Sequence, residues 1–269
     1  MFKEIGDLTV HCEVWGKGKP LILVHGGQCR LESWRDMRPF LAQRFRVHAY
    51  DLRAHGQTVT PREPSQSQEL WAEDLYRFIR SFGLRRVAVA GWSMGAAISL
   101  TFAIRHPEML SHLILIGASS PLVRPTDRSG FEERRRLLES GASAEEIVKR
   151  TFEFTSKAFG PYATTENRQA LEKLREDLLL FYSKPSAEIM EVTRASHADI
   201  ASQLSSINCP TLIIVGDADI RTPMGMAESL NKELPHSYIK IICDCGHFYP
   251  YEKPDEVSSV VTSFLTLCQ

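Results

Sequence analysis

Ser93 lies in the run Gly91-Trp92-Ser93-Met94-Gly95. This G-x-S-x-G pattern is common by chance and gains weight when a strand precedes it and a helix follows. A serine hydroxyl is a weak nucleophile at its own pKa. It needs a base beside it, and the base needs an acid that orients it. His247, in Cys245-Gly246-His247-Phe248, is the candidate base. Val215-Gly216-Asp217-Ala218-Asp219 offers the acid: Asp219 is farther along the loop and better placed to reach across, and Asp217 is the alternative. His25-Gly26-Gly27-Gln28 reads as an oxyanion loop. The backbone N–H of Gly27, with that of Met94 directly after the nucleophile, would hold developing negative charge on a carbonyl oxygen. His25 reads as structural, holding this loop through its ring nitrogens.

These residues need elements to carry them. Short apolar runs at 21–24, 47–50, 87–90 and 113–116 suit strands buried on both faces, as in a parallel sheet covered by helices. Between them, residues 70–82 place Leu70, Leu75, Phe78, Ile79 and Phe82 near one helical face, and 96–105 reads as a small-residue helix ending before Pro107. Ser93 then falls between a strand and a helix, on a tight turn where Gly91 and Gly95 avoid a clash. From 121 to 207 the strand signal disappears. Residues 131–140, 143–157, 165–181 and 186–196 read as helices, with Ser143 and Glu146 spaced as a capping box. Strand signals return at 211–215 and 238–242, and a helix closes the chain over about 255–267. The reading is an α/β fold with a mostly parallel central sheet flanked by helices. Residues 1–120 and 208–269 form its core, interrupted by an all-helical insert over 121–207.

Composition narrows the partners. The chain has 269 residues, 32 basic and 33 acidic side chains and a net charge of -1, which gives it no electrostatic claim on nucleic acid or an anionic membrane. No stretch approaches the roughly 18 apolar residues of a membrane span. Lys3, Glu4 and Asp7 leave no apolar core for a secretory signal near the start. The insert is balanced, with 13 basic and 14 acidic side chains over 121–205, so Arg134-Arg135-Arg136 reads as a solvated helix face. Cys12, Cys29, Cys209, Cys243, Cys245 and Cys268 are too sparse for a disulfide framework and read as reduced cytoplasmic thiols. Cys243, Cys245 and His247 do not follow a standard zinc spacing, so no metal is expected.

The chain resembles the α/β-hydrolase fold family. The resemblance is carried in order by His25-Gly26-Gly27, Asp51-Leu52-Arg53-Ala54-His55-Gly56, the Ser93 turn, Gly216-Asp217-Ala218-Asp219 with Thr222-Pro223, and Gly246-His247 with Glu252-Lys253-Pro254. It implies the serine, aspartate, histidine chain order, supports Asp219 as the acid, and makes the insert a helical cap. Ala54 stands where that family usually has glycine, and Asp51 and His55 are expected to shape their loop. Ser93 argues against the haloalkane dehalogenases and soluble epoxide hydrolases, which would carry aspartate at that place.

The resemblance implies a cytoplasmic serine hydrolase, without cofactor, that cleaves a small-to-medium ester or lactone. Ser93 attacks the carbonyl, His247 shuttles the proton, Asp219 fixes the imidazole, and water resolves the acyl-enzyme. Alternatives are a carbon–carbon bond hydrolase of ring-cleavage products, a perhydrolase of the cofactor-free haloperoxidase kind, and a ligand receptor on the same scaffold. Gln28, Trp34, Phe152 and Phe248 are the candidate substrate contacts. Arg53, Arg124 or Arg221 could meet a substrate carboxylate, and nothing in the sequence chooses among them. The partner expected is a small molecule with an ester-like carbonyl, and a homo-oligomer stays open.

Overall fold

Successive side chains of a strand point to opposite faces, and the apolar runs divide accordingly. Leu21, Leu23, Val47, Ala88, Ala90, Ile114, Ile116, Leu212 and Ile214 belong to one buried cluster. Ile22, Val24, Val87, Val89, Leu113, Leu115, Ile213 and Val215 belong to another. A sheet buried on both faces needs helices on both. The computed structural model describes residues 1–60, 66–121, 129–184 and 200–267, without the side chains of 129–131.

Eight strands form the sheet: β1 (Phe2–Ile5), β2 (Leu8–Trp15), β3 (Lys19–Val24), β4 (Phe45–Tyr50), β5 (Val87–Trp92), β6 (Leu110–Ile116), β7 (Thr211–Gly216) and β8 (Ser237–Ile242), in the spatial order 1-2-4-3-5-6-7-8. Strands β3 to β8 are mutually parallel, and β2 runs antiparallel to both β1 and β4. Sequence reading anticipated β3 to β8 and missed the β1–β2 hairpin.

The helices are α1 (Arg38–Leu41), α2 (Gln68–Ser81), α3 (Met94–Arg105), α4 (Ser129–Glu139), α5 (Ala144–Ser156), α6 (Pro161–Thr165), α7 (Arg168–Tyr182), α8 (Met224–Glu233), α9 (Tyr249–Glu252) and α10 (Pro254–Leu267). Trp71, Leu75, Phe78 and Ile79 of α2, with Ile98 and Phe102 of α3, cover one face of the sheet. Val257, Val261, Phe264 and Leu265 of α10 cover the other. Ser67 caps α2, its side chain accepting from the Leu70 N–H, and Ser143 caps α5 in the same way through Glu146 N–H.

Between β6 and β7 the described residues form helices and no strand. The helix expected over 165–181 is α7, which starts only at Arg168 because Asn167 leaves the helical region with φ -128° and ψ 61°; a separate short helix, α6, precedes it. The helix expected over 186–196, together with Arg124 and Cys268, lies outside the described residues. Asp177 of α7 is buried, yet accepts from Arg30 Nε at 2.9 Å and from the Tyr251 hydroxyl at 2.6 Å. One carboxylate thus ties the helical segment to the loop after β3 and to α9. No helix among the described residues is long and apolar enough to cross a membrane.

Candidate active site

Parallel strands deliver their following loops to the same edge of the sheet, where ligands of such folds bind. The loops after β3, β5, β7 and β8 carry Gly27, Ser93, Asp219 and His247 in turn.

Strand β5 passes into α3 through one residue, Ser93, at φ 54° and ψ -115°. A non-glycine residue there costs about 1–3 kcal/mol and persists only where its surroundings enforce it. A Cβ on Gly91 would lie 2.3 Å from the Gly95 carbonyl oxygen, and one on Gly95 would lie 2.1 Å from that of Val24. The two glycines are therefore steric requirements of the turn. The Ser93 N–H donates to Ile116 O at 2.9 Å, pinning the turn to β6.

The Ser93 hydroxyl donates to His247 Nε2 at 2.9 Å, and His247 Nδ1–H donates to Asp219 Oδ2 at 2.9 Å. Asp219 is buried and densely solvated by the protein. Its Oδ1 accepts from the backbone N–H groups of Arg221 and Thr222, and its Oδ2 from the hydroxyls of Thr222 and Tyr249. Burial opposes its charge, but the neighbouring His247 and these hydrogen bonds win and hold the carboxyl well below the usual carboxylate range. Asp217 is exposed. The His247 backbone is fixed at both ends: its N–H donates to Ala158 O at 2.7 Å, and its carbonyl accepts from Trp92 Nε1 at 2.9 Å.

Across from the turn, a Cβ on Gly27 would lie 3.5 Å from Met94 Sδ, so the Met94 side chain packs against Gly27. The loop is held by two neutral imidazoles. His25 Nδ1–H donates to Gly26 O while Nε2 accepts from Leu52 N–H. His55 Nδ1–H donates to Arg53 O while Nε2 accepts from Gln28 N–H. Burial drives both pKa values down, that of His55 to about 3 with help from His25. Asp51 accepts from His11, Leu31 N–H and Gln57 N–H, and so serves the same loop. Ala54 adopts φ 60°, the left-handed conformation for which glycine is the usual residue.

The expected substrate contacts separate. Phe248 is buried, meets His247 at a ring distance of 5.8 Å and stacks on Phe159 at 4.5 Å. Gln28 borders Gly27, and its side-chain oxygen accepts from Arg134 Nη1 at 3.0 Å. Trp34 lies fully buried in the core, edge-on to Trp92. Phe152 packs half-buried against that core. Arg53 is committed elsewhere: it is buried and forked onto Asp74 through Nε and Nη2 and onto Asp7 through Nη1 and Nη2. The solvated face expected for Arg134-Arg135-Arg136 holds for two residues only. Arg134 is 3% exposed because it shares a helix face with the buried Leu137 and Leu138. Sequence reading also missed Thr222 and Tyr249 around Asp219. Thr222 could have been found from its place three residues after that aspartate.

Cys245 is buried with its Sγ toward Gly246 O, Cys243 is exposed, and both ring nitrogens of His247 are engaged. Among the described residues no cluster of ligating side chains is arranged to hold a metal ion.

The chain belongs to the alpha/beta hydrolase fold family, whose model matches residues 19–254. It is 28% identical to a 2-hydroxy-6-oxo-6-(2'-aminophenyl)hexa-2,4-dienoic acid hydrolase of Metapseudomonas resinovorans, over 98% of this chain and 90% of that one. It is 30% identical to a strigolactone esterase of Arabidopsis thaliana, over 84% of each. A thermophilic esterase from Thermogutta terrifontis, solved with malate bound, is similar with a TM-score of 0.86 at 26% identity, covering 100% of this chain and 99% of the other.

Proposed function

We propose that the chain is a serine hydrolase that cleaves a small-to-medium ester or lactone through an acyl-enzyme. The observation that carries this reading is the unbroken relay from Ser93 Oγ through His247 to Asp219, at 2.9 Å for each link. Ser93 attacks the carbonyl carbon as His247 Nε2 takes its proton. Asp219 holds the Nδ1–H tautomer and stabilises the imidazolium. The N–H groups of Gly27 and Met94 receive the tetrahedral oxyanion. His247 protonates the leaving alkoxide, and a water activated by the same imidazole then releases the acid. The helical stretch 121–207 acts as a cap over a core of 1–120 and 208–269. The esterase relatives support the reaction class, and the cytoplasmic setting rests on six cysteines too sparse for a disulfide framework.

Intact mass after exposure to a fluorophosphonate tests this. One adduct is expected on the wild type and none on Ser93→Ala. An unlabelled wild type, or equal labelling of both, would overturn the nucleophile assignment.

A second reading, carbon–carbon bond hydrolysis, is favoured by the dienoic acid hydrolase relative. Bleaching of a yellow ring-cleavage product faster than hydrolysis of any simple ester would select it.

A further inference from the structure

Two guanidinium groups, from opposite parts of the chain, contact sequence neighbours of the proposed site. Arg221 follows Asp219 by two residues and gives that carboxylate its backbone N–H. Its side chain turns the other way, its guanidinium carbon lying 5.1 Å over the ring of Phe248, which itself abuts His247. Nη2 of Arg221 is buried and has no hydrogen-bond partner among the described residues. Arg134 comes from α4, is itself buried, and donates through Nη1 to Gln28, the neighbour of Gly27.

The two cations feel each other. Burial, and then Arg134, lower the pKa of Arg221 to about 10, which leaves it charged at neutral pH. Of the other groups facing Arg221 among the described residues, only the Asp219 carboxylate is an anion, and it supports the Arg221 charge without outweighing burial and Arg134. The side chains that hydrogen-bond Asp219 are those of His247, Thr222 and Tyr249, so it makes no fork with the Arg221 guanidinium. The Cys29 thiol is pushed up by burial, and the Tyr182 hydroxyl is raised for the same reason. An anion placed between two buried guanidinium groups lowers the cost of holding them close together. A guanidinium fork matches a carboxylate in geometry as well as sign.

We propose that Arg134 and Arg221 form a carboxylate-binding subsite next to Ser93, and that the substrate is an ester or lactone that also carries a free carboxylate. This specifies the substrate class of the proposed hydrolase and rests on Ser93 being its nucleophile. The fixed anion would set which carbonyl reaches Ser93, the kind of positioning that converts binding energy into rate.

The test compares monomethyl esters of glutarate and adipate with methyl esters of the matching monocarboxylic acids. A parallel pair carries the carboxylate on the alcohol side, acyl glycolates against simple alkyl esters. The expected result is a kcat/KM at least about tenfold higher for a charged series than for its neutral partner, as charge-assisted pairing to arginine would give. In Arg221→Gln and Arg134→Gln that ratio falls toward one, and Arg221→Lys recovers part of it. No charged preference, or an unchanged ratio in both glutamine variants, would overturn the subsite. Calorimetry of monomethyl adipate on Ser93→Ala, with and without Arg221→Gln, separates the two claims. Saturable binding that needs Arg221, in a protein that hydrolyses no ester, keeps the subsite and overturns the hydrolase. Ester turnover without such binding does the reverse.

Discussion

The indole N–H of Trp92 donates to the carbonyl oxygen of His247 at 2.9 Å, across 155 residues of chain. Trp92 immediately precedes Ser93, so a single side chain ties the Ser93 turn to the His247 loop. The same ring lies against the loop after β3, where a Cβ on Gly26 would come within 3.0 Å of it. Three loops that must agree to within a fraction of an ångström therefore share one rigid, fully buried aromatic.

Trp92→Phe keeps most of the ring and removes the donor. We expect a loss of about 1–2 kcal/mol in stability from the unpaired His247 carbonyl. We also expect a fall of about tenfold in kcat from the displaced imidazole. Urea melts and steady-state kinetics check both. Wild-type kcat with lowered stability would show that the bond supports the fold and not the alignment.

The acid can be assigned by a paired substitution. Asp219→Asn preserves shape but favours the wrong imidazole tautomer, and should lower kcat by roughly three to four orders of magnitude. Asp217→Asn, on an exposed side chain, should leave kcat/KM within about twofold. The reverse order of severity would move the role to Asp217.

How far the residues disclosed the molecule depends on what each signal rests upon. The runs that became β3 to β8 were legible because central parallel strands are apolar on both faces. The β1–β2 hairpin was not, although Leu8, Val10 and Cys12 alternate inward. His11 is also buried, drawn in by Asp51, and a charged-looking pattern is left that depends on a partner 40 residues away. Ser93, Asp219 and His247 stood out because each follows a strand signal within a short motif. Arg134 did not. Its burial depends on α4 lying against the core and on Gln28 accepting from it, and neither is written near it in sequence. Thr222 and Tyr249 were overlooked because they touch the acid rather than the reacting atoms.

His48 makes the fold sensitive to acid. It is buried on β4, edge-on to Phe82 at 4.6 Å, and neither ring nitrogen is hydrogen-bonded among the described residues. Burial, with Arg46 adding to it, lowers its pKa to about 4. An unfolded histidine titrates near 6.5. Between those values the unfolded chain binds a proton that the folded chain refuses, so stability falls as pH drops through that window. The contribution lost by pH 4 is about 2–3 kcal/mol. Unfolding free energies from pH 7 to pH 4 should fall less steeply in His48→Leu than in the wild type. Equal slopes would exclude His48 as the source.

Glu252 has one further consequence for how this chain can be recombined. Its buried carboxylate accepts from the N–H groups of Gly246 and Phe248, which bracket His247, and also from that of Gly160. The Ala158 carbonyl takes the His247 N–H, and Gly160 and Gly246 approach so closely that a Cβ on either would meet the other's backbone nitrogen within 2.7 Å. Residues 158–160 are thus part of the mould that shapes the histidine loop, although they lie within the helical segment. A chimera that borrows its helices from another chain must keep this short piece native, or import Glu252 and Gly246 along with it. The modular boundary of the molecule does not fall where the strands stop.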